Sequence, residues 1–280
     1  MAESIEHASD PRLDPYRLVG VHAALEREGL FVAEGRLVVE RLLEDGRFGV
    51  HSVLVTPPAL AALTPALGRR PDVGVSVCDP ALLREITGFD FHRGCLALAF
   101  RPESPSQSSR DDQRTPAPTD VSVLFPDAVR VLALEGVSNP DNVGGLFRAA
   151  LAFGVDAVIL DRATADPLYR KAIRTSMAAT LRVPFVRVDP WTDGLASLRA
   201  SGLRVVALTP HSAAVPLDDY AARRGERIAL VVGSEGFGMS PESMALADAR
   251  VRIPIDPRAD SLNVVTAAAI ALHALRAPLD

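Results

Sequence analysis

The chain has 280 residues, of which 48% are hydrophobic and 23% charged, with a formal net charge of −5; this is enough to bury one large core or two medium ones. The acidic balance excludes a protein that coats nucleic acid indiscriminately, because that affinity comes from many phosphate neutralisations, but it leaves room for a local basic site. No apolar run approaches the roughly 18–20 residues that cross a bilayer, and the stretch MAESIEHASDPRLDPYR carries acids where a secretory leader carries a basic end, so a cytoplasmic protein without membrane attachment is expected.

In chain order, the helical patterns LVGVHAALEREG and EGRLVVERLLEDG alternate with the β-branched runs HSVLVTP, VGVSVCD and GCLALAF. This alternation indicates a small α/β sandwich over residues 1–100. Cys78 and Cys95 both fall inside strand-like runs, so buried free thiols are expected rather than a disulfide or a metal site. The histidines His7, His22, His51, His92, His211 and His273 show no paired spacing, and no metal is expected. Residues 101–124 contain RPESPSQSSRDDQRTPAPTD, rich in Pro, Ser and charge and without apolar periodicity, which reads as a linker.

Residues 125–280 hold longer apolar runs: VRVLALEGV, VDAVILD, PFVRVD, LRVVALTP, RIALVVGSEG and ARVRIPI. Such strands call for a mostly parallel sheet flanked by helices on both faces, and in such sheets ligands sit where loops leave the carboxyl ends of strands. Between residues 162 and 187, Arg162, Arg170, Lys171, Arg174, Arg182 and Arg187 face the single acid Asp166. A solvated helix face and an anion-facing surface both fit that run.

Three strand-end loops combine small and polar residues before a helix: SNPDNVGGLFRAALAFG, LVVGSEGFGMSPESM and RIPIDPRADSLNVVTAAAIALHAL. None contains G-x-G-x-x-G or a P-loop, so a generic dinucleotide enzyme is disfavoured. Taken singly, Asn142 and Asn263 fit as helix caps, Ser240 before Pro241 fits as a helix start, and Gly144 and Gly145 fit as turn residues. Caps and turns alone do not explain one architecture repeated three times, nor Glu235 between glycines and Arg148 inside an apolar helix.

Taken together, NPDNVGGLFRAALAFGV, LVVGSEGFGMS and IPI…SLNVVTAAAIAL resemble the three signature motifs of the SpoU/TrmH group of RNA ribose 2′-O-methyltransferases, within the SPOUT superfamily. The resemblance spans nearly all of residues 129–276, and FVAEGRLVVERLLEDG with LREITGFDFHRGCLALA resembles the RNA-binding domain that often precedes the catalytic one. It implies a substrate-binding unit at 1–100, a linker at 101–124 and a methyltransferase domain at 125–280, whose trefoil knot, formed from about residue 205 onward, breaks the usual rule against knots. It implies S-adenosylmethionine as cofactor, with Leu208, Thr209, Gly233, Ile253 and Leu262 lining its pocket. The family's polar residues fall on Asn142, Arg148, Glu235, Ser261 and Asn263. Arg148 is expected to hold a phosphate near the target ribose; the family also gives its counterpart a part in deprotonation, a costly role for a group with a pKa above about 12. Arg170, Lys171, Arg174 and Ser176 take the place where relatives contact RNA. A homodimer whose subunits complete each other's sites, acting on ribosomal or transfer RNA, is implied as well. Pro257 and Ala178 stand where many relatives have glycine. A non-catalytic RNA-binding relative and a nucleotide-dependent enzyme of doubly wound topology remain the alternatives.

Overall fold

A computed structural model describes residues 2–88, 94–102, 124–220 and 226–275; most of the expected linker lies outside these. The described residues form two compact units, one gathering the chain up to Pro102 together with Pro167–Arg182, the other holding the remainder from Leu124 onward. No helix among the described residues is long and apolar enough to cross a membrane.

In the first unit a five-stranded sheet has the order β1 (Ala2–Ser4), β4 (Gly74–Val77), β3 (Val50–Val55), β5 (Cys95–Phe100), β2 (Leu30–Glu34). Its β1–β4 and β4–β3 pairs are parallel, and its β3–β5 and β5–β2 pairs antiparallel. Helices α1 (Asp14–Arg17), α2 (His22–Arg27), α3 (Arg36–Asp45), α4 (Pro57–Gly68) and α5 (Pro80–Thr87) fill the connections. In α3, Val38, Val39, Leu42 and Leu43 make the buried stripe, and Gly46, at φ +69, ends the helix in the left-handed conformation that glycine tolerates best. Cys78 and Cys95 are buried free thiols, and burial pushes the Cys78 thiol up to about 11.

The segment Pro167–Arg182 contributes two short helices, Arg170–Thr175 and Ala179–Arg182, to this unit. Between them Met177 and Ala178 both adopt positive φ, +51 and +68. Glycine fits such a conformation without strain, whereas Ala178 carries a Cβ there. Ser176 is 1% exposed, and its hydroxyl donates to the Ile173 carbonyl at 2.9 Å. That side chain pins the turn, and its burial sets it apart from the exposed Lys171 and Arg174 expected beside it at the RNA.

The second unit is built on a seven-stranded, wholly parallel sheet: β6 (Arg130–Glu135), β7 (Ala157–Leu160), β8 (Phe185–Arg187), β9 (Arg204–Leu208), β10 (Val215–Pro216), β11 (Ile228–Gly233) and β12 (Ala249–Arg252). Spatial order is β10-β12-β9-β11-β6-β7-β8. The chain therefore builds outward from β6 to β8, crosses back to lay down β9, inserts β11 between β9 and β6, and inserts β12 between β10 and β9. All six apolar runs read as strands are strands; the two-residue β10 is additional. Val131, Leu132, Ala133 and Leu134 are each at most 1% exposed, so both faces are covered, as a parallel sheet requires. On one face Val131, Ala133, Ile159, Val205, Ala229 and Val231 pack with Leu195 and Leu198 of the helix Trp191–Ala200.

Helices α6 (Pro140–Ala152) and α9 (Val264–Ala274) pack on one another, the helices α7 (Trp191–Ala200) and α8 (Pro241–Leu246) lying between them in sequence. Gly144 and Gly145 sit inside α6 without positive φ, so they make no turn. A Cβ on Gly145 would lie 2.8 and 2.9 Å from the two γ-methyls of Val265; glycine there allows α9 to approach.

Two stability experiments follow from this packing. Gly145→Ala gains about 1 kcal/mol of helix propensity but overpacks against a stiff β-branched side chain, at about 1–3 kcal/mol. A denaturant double-mutant cycle is expected to show Val265→Ala costing about 1–3 kcal/mol less in the Gly145→Ala background than alone; additive costs would contradict the contact. At Ala178, glycine relieves roughly 1–2 kcal/mol of left-handed strain while losing a buried methyl worth about 0.8 kcal/mol and adding unfolded-state entropy of about 0.4–1 kcal/mol. Ala178→Gly should therefore be nearly neutral, and Ala178→Val, β-branched and fully buried, should cost more than about 2 kcal/mol.

Candidate active site

Because every strand of the second sheet runs the same way, the loops leaving β6, β9, β11 and β12 emerge at one edge. The strand order reverses direction beside β6, the kind of switch point at which open α/β sheets bind ligands.

After β6, Asn139 is extended and its Oδ1 accepts from the Asp141 N–H at 2.9 Å, while Pro140 occupies the first turn of α6. Asn139, not Asn142, is the cap. Asn142 lies one turn in, 8% exposed, with its amide available for other contacts. After β12, Asn263 does cap its helix: its Oδ1 accepts from Val265 N–H at 2.9 Å and Thr266 N–H at 3.4 Å. Ser240 caps α8 in the same way, accepting from Ser243 N–H at 3.2 Å.

The side chains of these loops meet. Asn263 Nδ2 donates to Asn142 Oδ1 at 3.2 Å and to Glu235 Oε1 at 3.1 Å, and Asn142 Nδ2 donates to the same Glu235 oxygen. Three residues separated by 93 and 28 positions thus form one closed triangle. Its single charge is on Glu235, and hydrogen bonds to an ionised acceptor are the stronger kind.

The loop that carries Glu235 is a tight hairpin. Gly238 N–H donates to the Ser234 carbonyl at 2.9 Å, Ser234 N–H returns to the Gly238 carbonyl at 3.2 Å, and Phe237 N–H donates to Ser234 Oγ at 3.2 Å. Gly238 takes φ +68 to close the turn. At Gly233 a Cβ would lie 2.3 Å from the Gly238 carbonyl carbon, so no side chain fits there. Glu135, the last residue of β6, anchors the loop's far end by accepting from Ser240 N–H at 3.0 Å.

Against this loop lies a cavity of about 860 Å³. All five residues expected at a cofactor pocket, Leu208, Thr209, Gly233, Ile253 and Leu262, line it, as do Glu235, Ser261 and Asn263. His211, Phe237, Met244 and Asp260 also line it and were not anticipated from the sequence. Phe237 had a local signal, an aromatic between two glycines; the others occupy ordinary loop or helix positions. A second cavity of about 620 Å³ is lined by Glu135, Ser138 and Asp161 and shares the 234–239 loop.

Arg148 is exposed, six residues beyond Asn142 on α6, which places it about 9 Å further along the axis and on a different face. It makes no hydrogen bond to the triangle. Ser261 is exposed at the cavity and likewise outside the triangle. In the basic segment Arg170 pairs with Glu34 at 3.2 Å, while Lys171 and Arg174 are exposed. Arg187 is tied down, donating to the Thr164 carbonyl at 2.9 Å.

Comparison with known proteins gives this geometry its context. The profile of the SpoU rRNA Methylase family matches residues 130–273. A Mycobacterium bovis protein named as an uncharacterised tRNA/rRNA methyltransferase is 38% identical over 274 residues, covering 94% of this chain and 88% of its own. A 23S rRNA (guanosine-2′-O-)-methyltransferase of Acinetobacter baylyi is 31% identical over 68% of this chain and 73% of its own. In fold, the chain is similar to an AdoMet-bound rRNA methyltransferase from Sinorhizobium meliloti, with a TM-score of 0.75, 23% identity and coverage of 98% and 97%. The profile covers all three motif loops and the M. bovis relative aligns along nearly the whole sequence, and the chain belongs to the SpoU rRNA methylase family.

Proposed function

We propose that this protein transfers a methyl group from S-adenosylmethionine to a ribose 2′-hydroxyl in structured RNA, ribosomal or transfer. The observation that carries the reading is the triangle of Asn142, Glu235 and Asn263 at the wall of the 860 Å³ cavity. The A. baylyi relative, named for guanosine 2′-O-methylation of 23S rRNA, makes a guanosine ribose in ribosomal RNA the first target to examine.

The cavity suits the cofactor chemically. Leu208, Ile253 and Leu262 offer apolar surface for an adenine, Thr209 and Asp260 offer polar contacts, and Gly233 keeps the backbone bare where the loop folds back. When bound, S-adenosylmethionine supplies an electrophilic methyl on a positively charged sulfur. Since that leaving group is already good, the protein's task is alignment and acceptance of the hydroxyl proton. Glu235 Oε1 is fixed by two amides, and its second oxygen takes no hydrogen bond among the described residues; it is placed to orient a hydroxyl at the cavity wall. Ser261 lies on the same wall as a second polar contact.

Arg148 grips the phosphate beside the target ribose. Its position off the triangle supports a homodimer in which Arg148 of one copy serves the site of the other. The insertion of β11 and β12 between earlier strands supports a trefoil knot around the cofactor. The first unit, with exposed Lys171 and Arg174, is the RNA-binding part, and the setting is cytoplasmic, where ribosomal and transfer RNA are at hand.

Arg148→Ala is expected to lower kcat/KM for methyl transfer at least about 100-fold, the scale of losing a charge-assisted contact near the reacting group. The assay uses labelled S-adenosylmethionine and RNA from cells lacking the gene. Cofactor affinity by calorimetry should stay within about twofold of wild type, as expected for a contact made to RNA alone. Unchanged turnover would remove Arg148 from the site. Mixing inactive Arg148→Ala and Asn142→Ala chains should recover activity that neither has alone; failure would argue against shared sites.

A further inference from the structure

Phe237 is 99% exposed, far beyond the next large apolar side chain among the described residues, Val21 at 56%. An aromatic ring left wholly in water forgoes the gain of burial, and this one stands on a hydrogen-bonded turn. The Ser234–Gly238 hairpin closes beneath it, and its own N–H is bonded to Ser234 Oγ at 3.2 Å. The bonded hairpin presents the ring to solvent.

The ring stands between two cavities. Strand order puts β11 between β9 and β6, so its loop divides the space bounded by the loops after β9 and β12 from that bounded by the loops after β6 and β7. Phe237 lines both cavities, as does Glu235. The first holds the residues expected to bind cofactor. The second, about 620 Å³, is lined by the acidic residues Asp161 and Glu235, with Glu135 buried behind them and bonded to Ser240 N–H. Acids repel a phosphate but accept hydrogen bonds from the N–H groups of a base or the hydroxyls of a ribose. Of the parts of a nucleotide, only the base and sugar suit such a wall, and only the base offers a flat face to an aromatic ring.

We propose that the second cavity receives a nucleobase of the RNA substrate and that Phe237 stacks on it, setting the adjoining ribose at Glu235. The inference rests on the RNA methyl-transfer reading above. It makes Phe237 a substrate-positioning residue whose contribution is affinity for RNA, with no part in holding the cofactor.

The test compares wild type with Phe237→Ala, Phe237→Leu and Phe237→Trp, using ribosomal RNA from cells lacking the gene. Equilibrium RNA binding, KM and kcat for methylation, S-adenosylmethionine affinity by calorimetry, and solution mass are measured. Loss of one base stack corresponds to about tenfold or more in affinity. Phe237→Ala and Phe237→Leu should weaken RNA binding and raise KM by that factor, with cofactor affinity unchanged. Phe237→Trp should remain near wild type, because a larger π face stacks at least as well. Leucine matching wild type would show that apolar bulk suffices and overturn stacking. A parallel loss of cofactor affinity would make the ring a cover for the first cavity, and a change in solution mass would make it a contact with a second copy; either overturns the proposal. A wild type that binds this RNA through Phe237 without methylating it would overturn the transfer reading and leave the base contact standing. An active wild type indifferent to Phe237→Ala would do the reverse.

Discussion

The hydrogen bonds that Glu235 accepts from the amides of Asn142 and Asn263 depend on three loops arriving at the same place, and the sheet arranges that arrival. In a wholly parallel sheet all carboxyl ends share one edge, so adjacency of strands becomes adjacency of loops. β11 is laid down after β9 yet lies between β9 and β6, which carries Glu235 to the mouth of α6. β12 is then laid beside β9, which brings Asn263 back from the far end of the chain. A meandering order of the same strands would leave the three motifs several strand spacings apart.

Adjacency of strands is not enough to close gaps of a few ångströms, and the remaining distance is removed by missing side chains. Gly145 lets α9 approach until the Val265 methyls occupy the space a Cβ would fill, two residues after Asn263. Gly233 lets the hairpin fold over the strand end at a distance that no Cβ permits. Glu135 fixes the hairpin's other end through Ser240 N–H, although its second oxygen is buried with no hydrogen-bond partner among the described residues.

The sequence announced its strands more clearly than its connections. Runs such as VRVLALEGV are apolar at consecutive positions because both faces of the sheet are covered, and Val131 through Leu134 are all buried. Helix α4 was not anticipated because PPALAALTPALG carries prolines, including Pro65 inside the helix. The cap at Asn139 was hidden by Asn142, since two asparagines flanking Pro140 and Asp141 both fit a helix start. Only the geometry separates capping from bridging. For Ser176 the resemblance suggested an RNA contact, whereas its burial is a long-range property that the local sequence does not display. The cavity-lining residues were legible only through the resemblance of three motifs; apolar residues such as Leu208 or Ile253 carry no chemical signal of their own.

The choice of amides in the triangle follows from what each must do at once. Asn263 accepts from two backbone N–H groups to start α9 and donates from its other atom to Glu235 and Asn142. Aspartate in that place would cap the helix but would set a second carboxylate beside Glu235, where like charges oppose ionisation. Serine would cap equally well, with a shorter side chain and a single hydrogen to donate. Asn142 has the same double demand, donating to Glu235 and accepting from Asn263. The chain of donors and acceptors therefore ends on Glu235, the triangle's one net charge. The result is a negative charge held in place by neutral amides at the wall of the larger cavity.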